Sequence, residues 1–251
     1  MISYEYPINE RTRTLLRLED LCGRISFFRS QDDAMAHHAA LSTLFEILDV
    51  SSRADLKTDL MQELERQKQA LSGFRSNPAV SENALTEVLE QIEKASSGLF
   101  AMPGKIGQHL KDNEWLMNIK QRTAIPGGAC EFDLPSYHYW LSQSPERRKR
   151  DLGFWLTPLA PIEDSIAIVL KILRESGRTL RYVAQHGCFQ QILAGRTAQM
   201  LSVSLDEALP YVPEISANKY ALNIRFVTAE IQQRPKVCEN DIEFKLSFYN
   251  L

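Results

Sequence analysis

Apolar residues follow two different periods along this chain, and the change between them separates two regions. From Asn9 to about Gly177 they recur every three or four residues, which predicts amphipathic helices. After Gly177 they alternate with polar residues, most clearly at 222–226 and 242–248. Such alternation predicts strands with one buried face, and the short connections between them favour antiparallel pairing.

The predicted helices begin at residues that suit helix N-termini. Asn9, Asp32 or Asp33, and Ser81 have side chains that favour the first positions of a helix. Prolines at 135, 145 and 158 or 161 fit the first helical turn, where their missing N–H is not needed. Further helices are predicted at about 53–74, 106–111 and 114–122, and the last helix ends near Glu175.

Two short segments outside the C-terminal region also predict strands. Residues 2–6 alternate apolar and polar side chains, and 130–132 follow a Pro126-Gly127-Gly128 turn. We expect both to join the C-terminal sheet. The polar or proline-containing segments at 72–81, 207–216 and 230–240 are expected to be exposed linkers.

The fold class is therefore α+β, a multi-helix bundle region plus an antiparallel sheet supplied mainly by the C-terminal third. We expect a helical domain made of 9–124 and 134–177. A discontinuous β domain should comprise 1–8, 125–133 and 178–251.

Composition and charge narrow the range of partners. The chain has 251 residues, 24% of them charged, and a net charge of −3, so a general affinity for nucleic acid or anionic membranes is not expected. No apolar run approaches the ~20 residues that span a bilayer. The first residues lack the basic and apolar regions of a signal peptide. These features predict a cytoplasmic protein without membrane insertion.

No motif for catalysis, metal or cofactor binding is present, and we expect a protein that is not an enzyme. The four cysteines form no C-x-x-C pair, and adjacent His37 and His38 point about 100° apart on a helix. Cys130 and His138 lie close in sequence and make a Cys–His hydrolase one alternative. However, no helix begins directly after Cys130 to lower its pKa.

The densest basic run, Arg147-Arg148-Lys149-Arg150, offers a second alternative. A local basic patch of this kind could make the protein a nucleic-acid-binding α+β module. The run is flanked by Glu146 and Asp151, and the ordinary interpretation is a solvated helix surface.

Three segments together carry a resemblance to a known family. They are Tyr6-Pro7-Ile8-Asn9-Glu10-Arg11, the Thr-x-Leu-x-x-Glu-Leu-x-Arg-Gln order at 58–67, and Ile125-Pro126-Gly127-Gly128 followed by Phe132-Asp133-Leu134-Pro135. In these segments the chain resembles the ZapD family. Its members are bacterial cell-division proteins that bind and cross-link filaments of the tubulin-like protein FtsZ.

The resemblance implies a non-enzymatic homodimer without cofactors that binds the C-terminal tail of FtsZ, bundles FtsZ filaments and stabilises the Z-ring at mid-cell during septation. Basic positions of the family's tail site are matched here by Arg53, Lys219 and Arg225. Positions implicated in filament bundling are matched by Arg17 and His138. Ala221 and Glu114 stand where some members carry a basic residue.

Overall fold

A computed structural model describes residues 1–52, 55–75, 77–78, 80–193, 198–218, 220–230, 232 and 234–251. The expected α+β class is confirmed. The chain divides into two compact units. The helical unit comprises Arg17–Val169, and the β unit comprises Met1–Leu16 together with Leu170–Leu251.

Helices occupy most of the first two thirds of the chain. They are α1 (Glu10–Ser30), α2 (Ala34–Ser51), α3 (Leu56–Ser72), α4 (Glu82–Ala101), α5 (Gln108–Lys111), α6 (Glu114–Thr123), α7 (Pro135–Leu141), α8 (Pro145–Leu156) and α9 (Ala160–Glu175). The predicted caps are present: the side chains of Asn9, Asp33 and Ser81 accept hydrogen bonds from backbone N–H groups of the first turn. Pro135 and Pro145 are first helical residues, as expected.

An aromatic cluster joins several helices of the helical unit. The rings of Trp115, Tyr137, Trp140 and Trp155 lie with neighbouring centroids between 5.6 and 6.2 Å apart. Tyr137 is almost fully buried, and its hydroxyl makes a 2.6 Å hydrogen bond with Nδ1 of His38 on α2. Because large aromatic side chains bury much apolar area, this cluster is a main support of the 135–155 region.

Among the described residues, seven strands of the β unit form two antiparallel sheets. The strands are β1 (Ile2–Pro7), β2 (Arg178–Ala184), β3 (Cys188–Ile192), β4 (Met200–Leu205), β5 (Tyr211–Ala217), β6 (Ala221–Thr228) and β7 (Ile242–Tyr249). One sheet has the order β1-β4-β7-β2 and the other β3-β6-β5. The N-terminal strand does join the C-terminal sheet, since β1 pairs with β4 and places Tyr4 opposite Val203.

The inner faces of the two sheets share one apolar core. Phe226 of the three-stranded sheet and Phe244 of the four-stranded sheet are both buried, with ring centroids 5.1 Å apart. Val203 and Ile224 belong to the same buried cluster. Because side chains alternate along a strand, most polar positions of the strands point to the outer faces of the sheets.

Two sequence-based expectations about strands are wrong, and one strand was not predicted. Residues 130–132 are not a strand, and the 125–133 segment lies in the helical unit. Its backbone donors are used in local turns, with Cys130 N bonded to Gly127 O at 3.3 Å and Asp133 N to Cys130 O at 3.1 Å. The expected linker at 207–216 contains most of β5. Pro213 made this segment look like a linker, but proline is tolerated in an edge strand such as β5. Strand β3 was also missed, because its Gln191 points inward and its Ile192 outward.

Two other expected linkers, at 72–81 and 230–240, lie partly outside the described residues. The predicted start of the third helix, Arg53, lies wholly outside them.

Candidate partner-binding surfaces

The outer face of the β3-β6-β5 sheet presents one arginine from the predicted tail site. The strand register places Arg225 of β6 between Cys188 of β3 and Glu214 of β5. The Arg225 guanidinium donates a 2.8 Å hydrogen bond to Glu214 Oε2. Both side chains remain open to solvent, at 62% and 47% exposure. Arg225 is therefore accessible, but the neighbouring Glu214 carboxylate partly neutralises its charge.

The rest of this face is neutral and hydrogen-bonding. The next row across the strands consists of Gln190, Asn223 and Ser216, all exposed. Beyond it Ile192, which is 80% exposed, lies opposite Ala221. A surface with one charged pair, a row of amides and a hydroxyl, and an exposed aliphatic side chain can hold an extended peptide through polar and apolar contacts together.

Arg53 and Lys219, the other two residues of the predicted tail site, lie outside the described residues. Of that predicted set the structure therefore places Arg225 alone. Ala221 is half-buried and adds no charge to the face.

The two predicted bundling residues both lie on the surface of the helical unit. Arg17 is exposed on α1 and makes no hydrogen bond or ion pair with any described residue. His138 is exposed on α7, and its Nε2 lies 3.6 Å from the Glu131 carboxylate. No contact among the described residues joins Arg17 to His138, so the structure does not bring these two side chains together.

The Pro-Gly-Gly segment that stood out in the sequence is a tightly folded turn. Gly127 has a positive φ of 73°, and a Cβ on Gly128 would collide with the Arg122 carbonyl oxygen. Both positions therefore need glycine. The turn ends at the buried Leu134 and leaves Phe132 82% exposed. The backbone conformation of the turn thus explains its two glycines. The exposed Phe132 was not predicted from the sequence as a surface residue.

The Cys–His alternative finds no support in the geometry. Cys130 is exposed, and no hydrogen bond between Cys130 and His138 is found in the described part of the chain. The described residues also contain no cluster of three or more potential metal ligands.

Two of the four cations in the basic run on α8 are engaged by the fold. Arg148 is only 5% exposed and donates hydrogen bonds to the carbonyl oxygens of Leu141, Gln143 and Asp32 and to Nδ1 of His37. Lys149 pairs with the Asp32 carboxylate at 2.5 Å, which lowers the pKa of Asp32. These contacts engage Arg148 and Lys149, while Arg147 and Arg150 remain exposed.

No described helix has the length and apolar character needed to cross a membrane.

The comparisons with known proteins point to one family. The family model named ZapD, described as a cell division protein, matches residues 16–225. A protein of Aromatoleum aromaticum named cell division protein ZapD is 57% identical over 251 residues, which covers 100% of this chain and 98% of that protein. Proteins of the same name in Azoarcus sp. and Nitrosomonas eutropha are 56% and 53% identical, each over 100% of both chains.

Proposed function

This chain belongs to the ZapD family of cell division proteins, and we propose that it acts there without catalysis by binding the C-terminal tail of FtsZ. In this proposal it is a cytoplasmic homodimer at the mid-cell division site. Each protomer binds one FtsZ tail, so that the dimer cross-links filaments and stabilises the Z-ring during septation. The proposed tail-binding residues are Arg53, Lys219 and Arg225, and Arg17 and His138 are proposed to act in bundling.

The observation that carries this proposal is the exposed Arg225 on a neutral, open sheet face. Arginine binds carboxylates with a planar fork of donors, which suits an acidic tail segment. Glu214 occupies part of that fork in the free protein. Exposed ion pairs contribute only about 0.2–1 kcal/mol, so a carboxylate of the partner can displace Glu214 at small cost.

Cross-linking follows from two copies of this site. A dimer that engages tails on two neighbouring filaments gains about 10²–10⁴ in apparent affinity through effective concentration. A weak single site is therefore sufficient for bundling, provided that the protein is at least dimeric.

The test is co-sedimentation of the purified protein with FtsZ filaments, comparing full-length FtsZ with FtsZ that lacks its C-terminal tail. We expect pelleting with the first and none with the second. Arg225→Glu should weaken pelleting about tenfold or more, because it removes a charge-assisted contact and repels carboxylates. Arg150→Glu, an equal charge change at an exposed position of α8, is the matched control. Undiminished pelleting of Arg225→Glu would show that this face is not the tail site.

A further inference from the structure

The outer face of α1 contains a glycine that has no role inside the protomer. Gly23 lies on the exposed side of this 21-residue helix, well away from both ends. A Cβ at this position would meet nothing within 4 Å, and the backbone there does not have a positive φ. Glycine inside a helix weakens the helix relative to alanine, but it allows a second backbone to approach closely.

The surface around Gly23 combines an exposed aromatic side chain with a shallow hollow. Phe27 follows one turn later on the same side of the helix, and it is 61% exposed. A cavity of about 240 Å³ lies beside Gly23, between α1 and α9, and its lining includes Ser26, Ile166 and Ala167. The face therefore carries a protruding ring and, next to it, a surface of small and aliphatic residues.

The charges on this face complement a second copy of the same face. Asp20 and Arg24 form an ion pair of 2.6 Å and remain 58% and 54% exposed. A second α1 that crosses in the antiparallel direction at Gly23 has the reverse order of these residues. Its Arg24 then lies beside Asp20 of the first copy, and its Asp20 beside the first Arg24. A twofold axis generates both contacts from one surface, as in an isologous dimer.

Two carboxylates restrict which partner fits the hollow. Glu19 and Glu163 also line the cavity. Burial, together with the negative charges of Glu163 and Glu19, raises the pKa of the Cys22 thiol in the same cavity to about 12. An acidic peptide, such as the tail segment proposed to bind Arg225, is therefore repelled here. A neutral aromatic ring is not, and a second copy supplies such a ring in its Phe27.

We propose that α1 packs against α1 of a second copy, in the antiparallel direction and crossing at Gly23. Phe27 of each protomer contacts the surface around Gly23 of the other, and Asp20 and Arg24 pair across the twofold axis. This inference rests on the homodimer of the proposed function and adds the surface through which it forms. The interface uses no residue of the β3-β6-β5 face, so both protomers keep that face for a tail.

The first test is analytical ultracentrifugation of the full chain over a range of concentrations, without FtsZ. Gly23→Leu fits the open space of the protomer and favours the helix, so circular dichroism should show unchanged helix content. The added side chain keeps the second backbone away, and we expect the dissociation constant of the dimer to rise at least about tenfold. Phe27→Ser should have a similar effect. Phe100→Ser, which alters a 78% exposed phenylalanine of α4, is the matched control and should leave the dimer unchanged.

A charge exchange tests the antiparallel direction. Asp20→Arg places like charges beside each other across the twofold axis and should weaken the dimer. The double variant Asp20→Arg/Arg24→Asp exchanges the two charges in both copies and should restore it. A double variant as weak as Asp20→Arg alone would contradict the proposed direction of packing.

A final comparison separates this inference from the proposed function. Gly23→Leu should bind a labelled FtsZ tail peptide as tightly as the natural chain does, but it should no longer bundle filaments. An unchanged dimer in both Gly23→Leu and Phe27→Ser would overturn the interface alone. A natural chain that is monomeric at all concentrations would overturn the interface and also the homodimer of the proposed function. A natural chain that dimerises through α1 but does not bind the tail peptide would support the interface and contradict the proposed function.

Discussion

The basic residues of α8 and those of the β unit differ in what surrounds them. On α8, Arg148 is buried among three carbonyl oxygens and His37, and Lys149 is paired with Asp32. In the β unit, Arg225 has one displaceable partner, and Arg181 and Lys245 have none among the described residues. Two cations of the densest basic run in the sequence thus serve the fold, while Arg147 and Arg150 stay exposed. Single cations at outward positions of the strands remain available to a partner.

This difference has a simple cause in geometry. Four consecutive residues of a helix point to all sides, so at least one of them must face the protein interior. Four consecutive cations in a helix therefore cannot all face solvent, although two that are three residues apart, such as Arg147 and Arg150, lie on one exposed face. Cations at outward positions of neighbouring strands point the same way and are brought together by register, even when they are distant in sequence.

The largest effect expected from this comparison is on stability. Arg148→Met removes the donor for four acceptors, and leaving buried acceptors unsatisfied should cost about 2–4 kcal/mol of unfolding free energy. For a chain of this size that corresponds to a fall in Tm of about 5–15 °C, measured by calorimetry. Arg147→Gln/Arg150→Gln should stay within about 0.5 kcal/mol of the natural chain. If the two variants were equally stable, Arg148 would not be structural.

A second effect is on the pH dependence of stability in the helical unit. Burial and the neighbouring Arg148 guanidinium lower the pKa of His37, so His37 stays neutral in the folded chain. The unfolded chain protonates this residue below about pH 6.5. Because the unfolded state then binds more protons, stability is complete above about pH 6.5 and is lost as the pH falls below it towards the lowered folded-state pKa.

The measurement is urea denaturation of the natural chain and of His37→Asn at pH 7.5 and 5.5. Asparagine keeps an acceptor for Arg148 but does not titrate. His38, whose pKa is also lowered by burial, is present in both chains and contributes equally. We therefore expect a smaller loss of stability at pH 5.5 in the variant. Identical losses of stability in the two chains would show that His37 does not contribute to the pH dependence.

The smallest expected effect is on the affinity of the β3-β6-β5 sheet face for the FtsZ tail. Glu214→Gln removes the carboxylate that competes for Arg225, and the FtsZ tail should bind about two- to fivefold more tightly, given the weakness of exposed ion pairs. Fluorescence anisotropy with a labelled tail peptide measures this change. Glu239→Gln, the same charge change at another exposed position of the β unit, controls for net charge. Equal affinities in both variants would show that Glu214 does not compete with the tail.

Local patterns in the sequence determined most of the secondary structure. The three- and four-residue spacing of leucines, with caps at Asp33 and Ser81, was sufficient for the helices, because an amphipathic helix is specified by its own residues. Clean alternation identified β1, β6 and β7 for the same reason. The family resemblance was likewise readable from the 125–135 segment, although that segment proved to be turns.

Only the tertiary structure decided what depends on partners distant in the chain. A strand needs a neighbour, so Cys130-Glu131-Phe132 without one became a turn, and β5 with Pro213 became an edge strand once β6 paired with it. The burial of Arg148 and the alignment of Arg181 with Lys245 depend on packing and strand register. Neither is encoded in neighbouring residues alone, because the Arg148–His37 bond and the Arg181–Lys245 pair each join positions more than 60 residues apart.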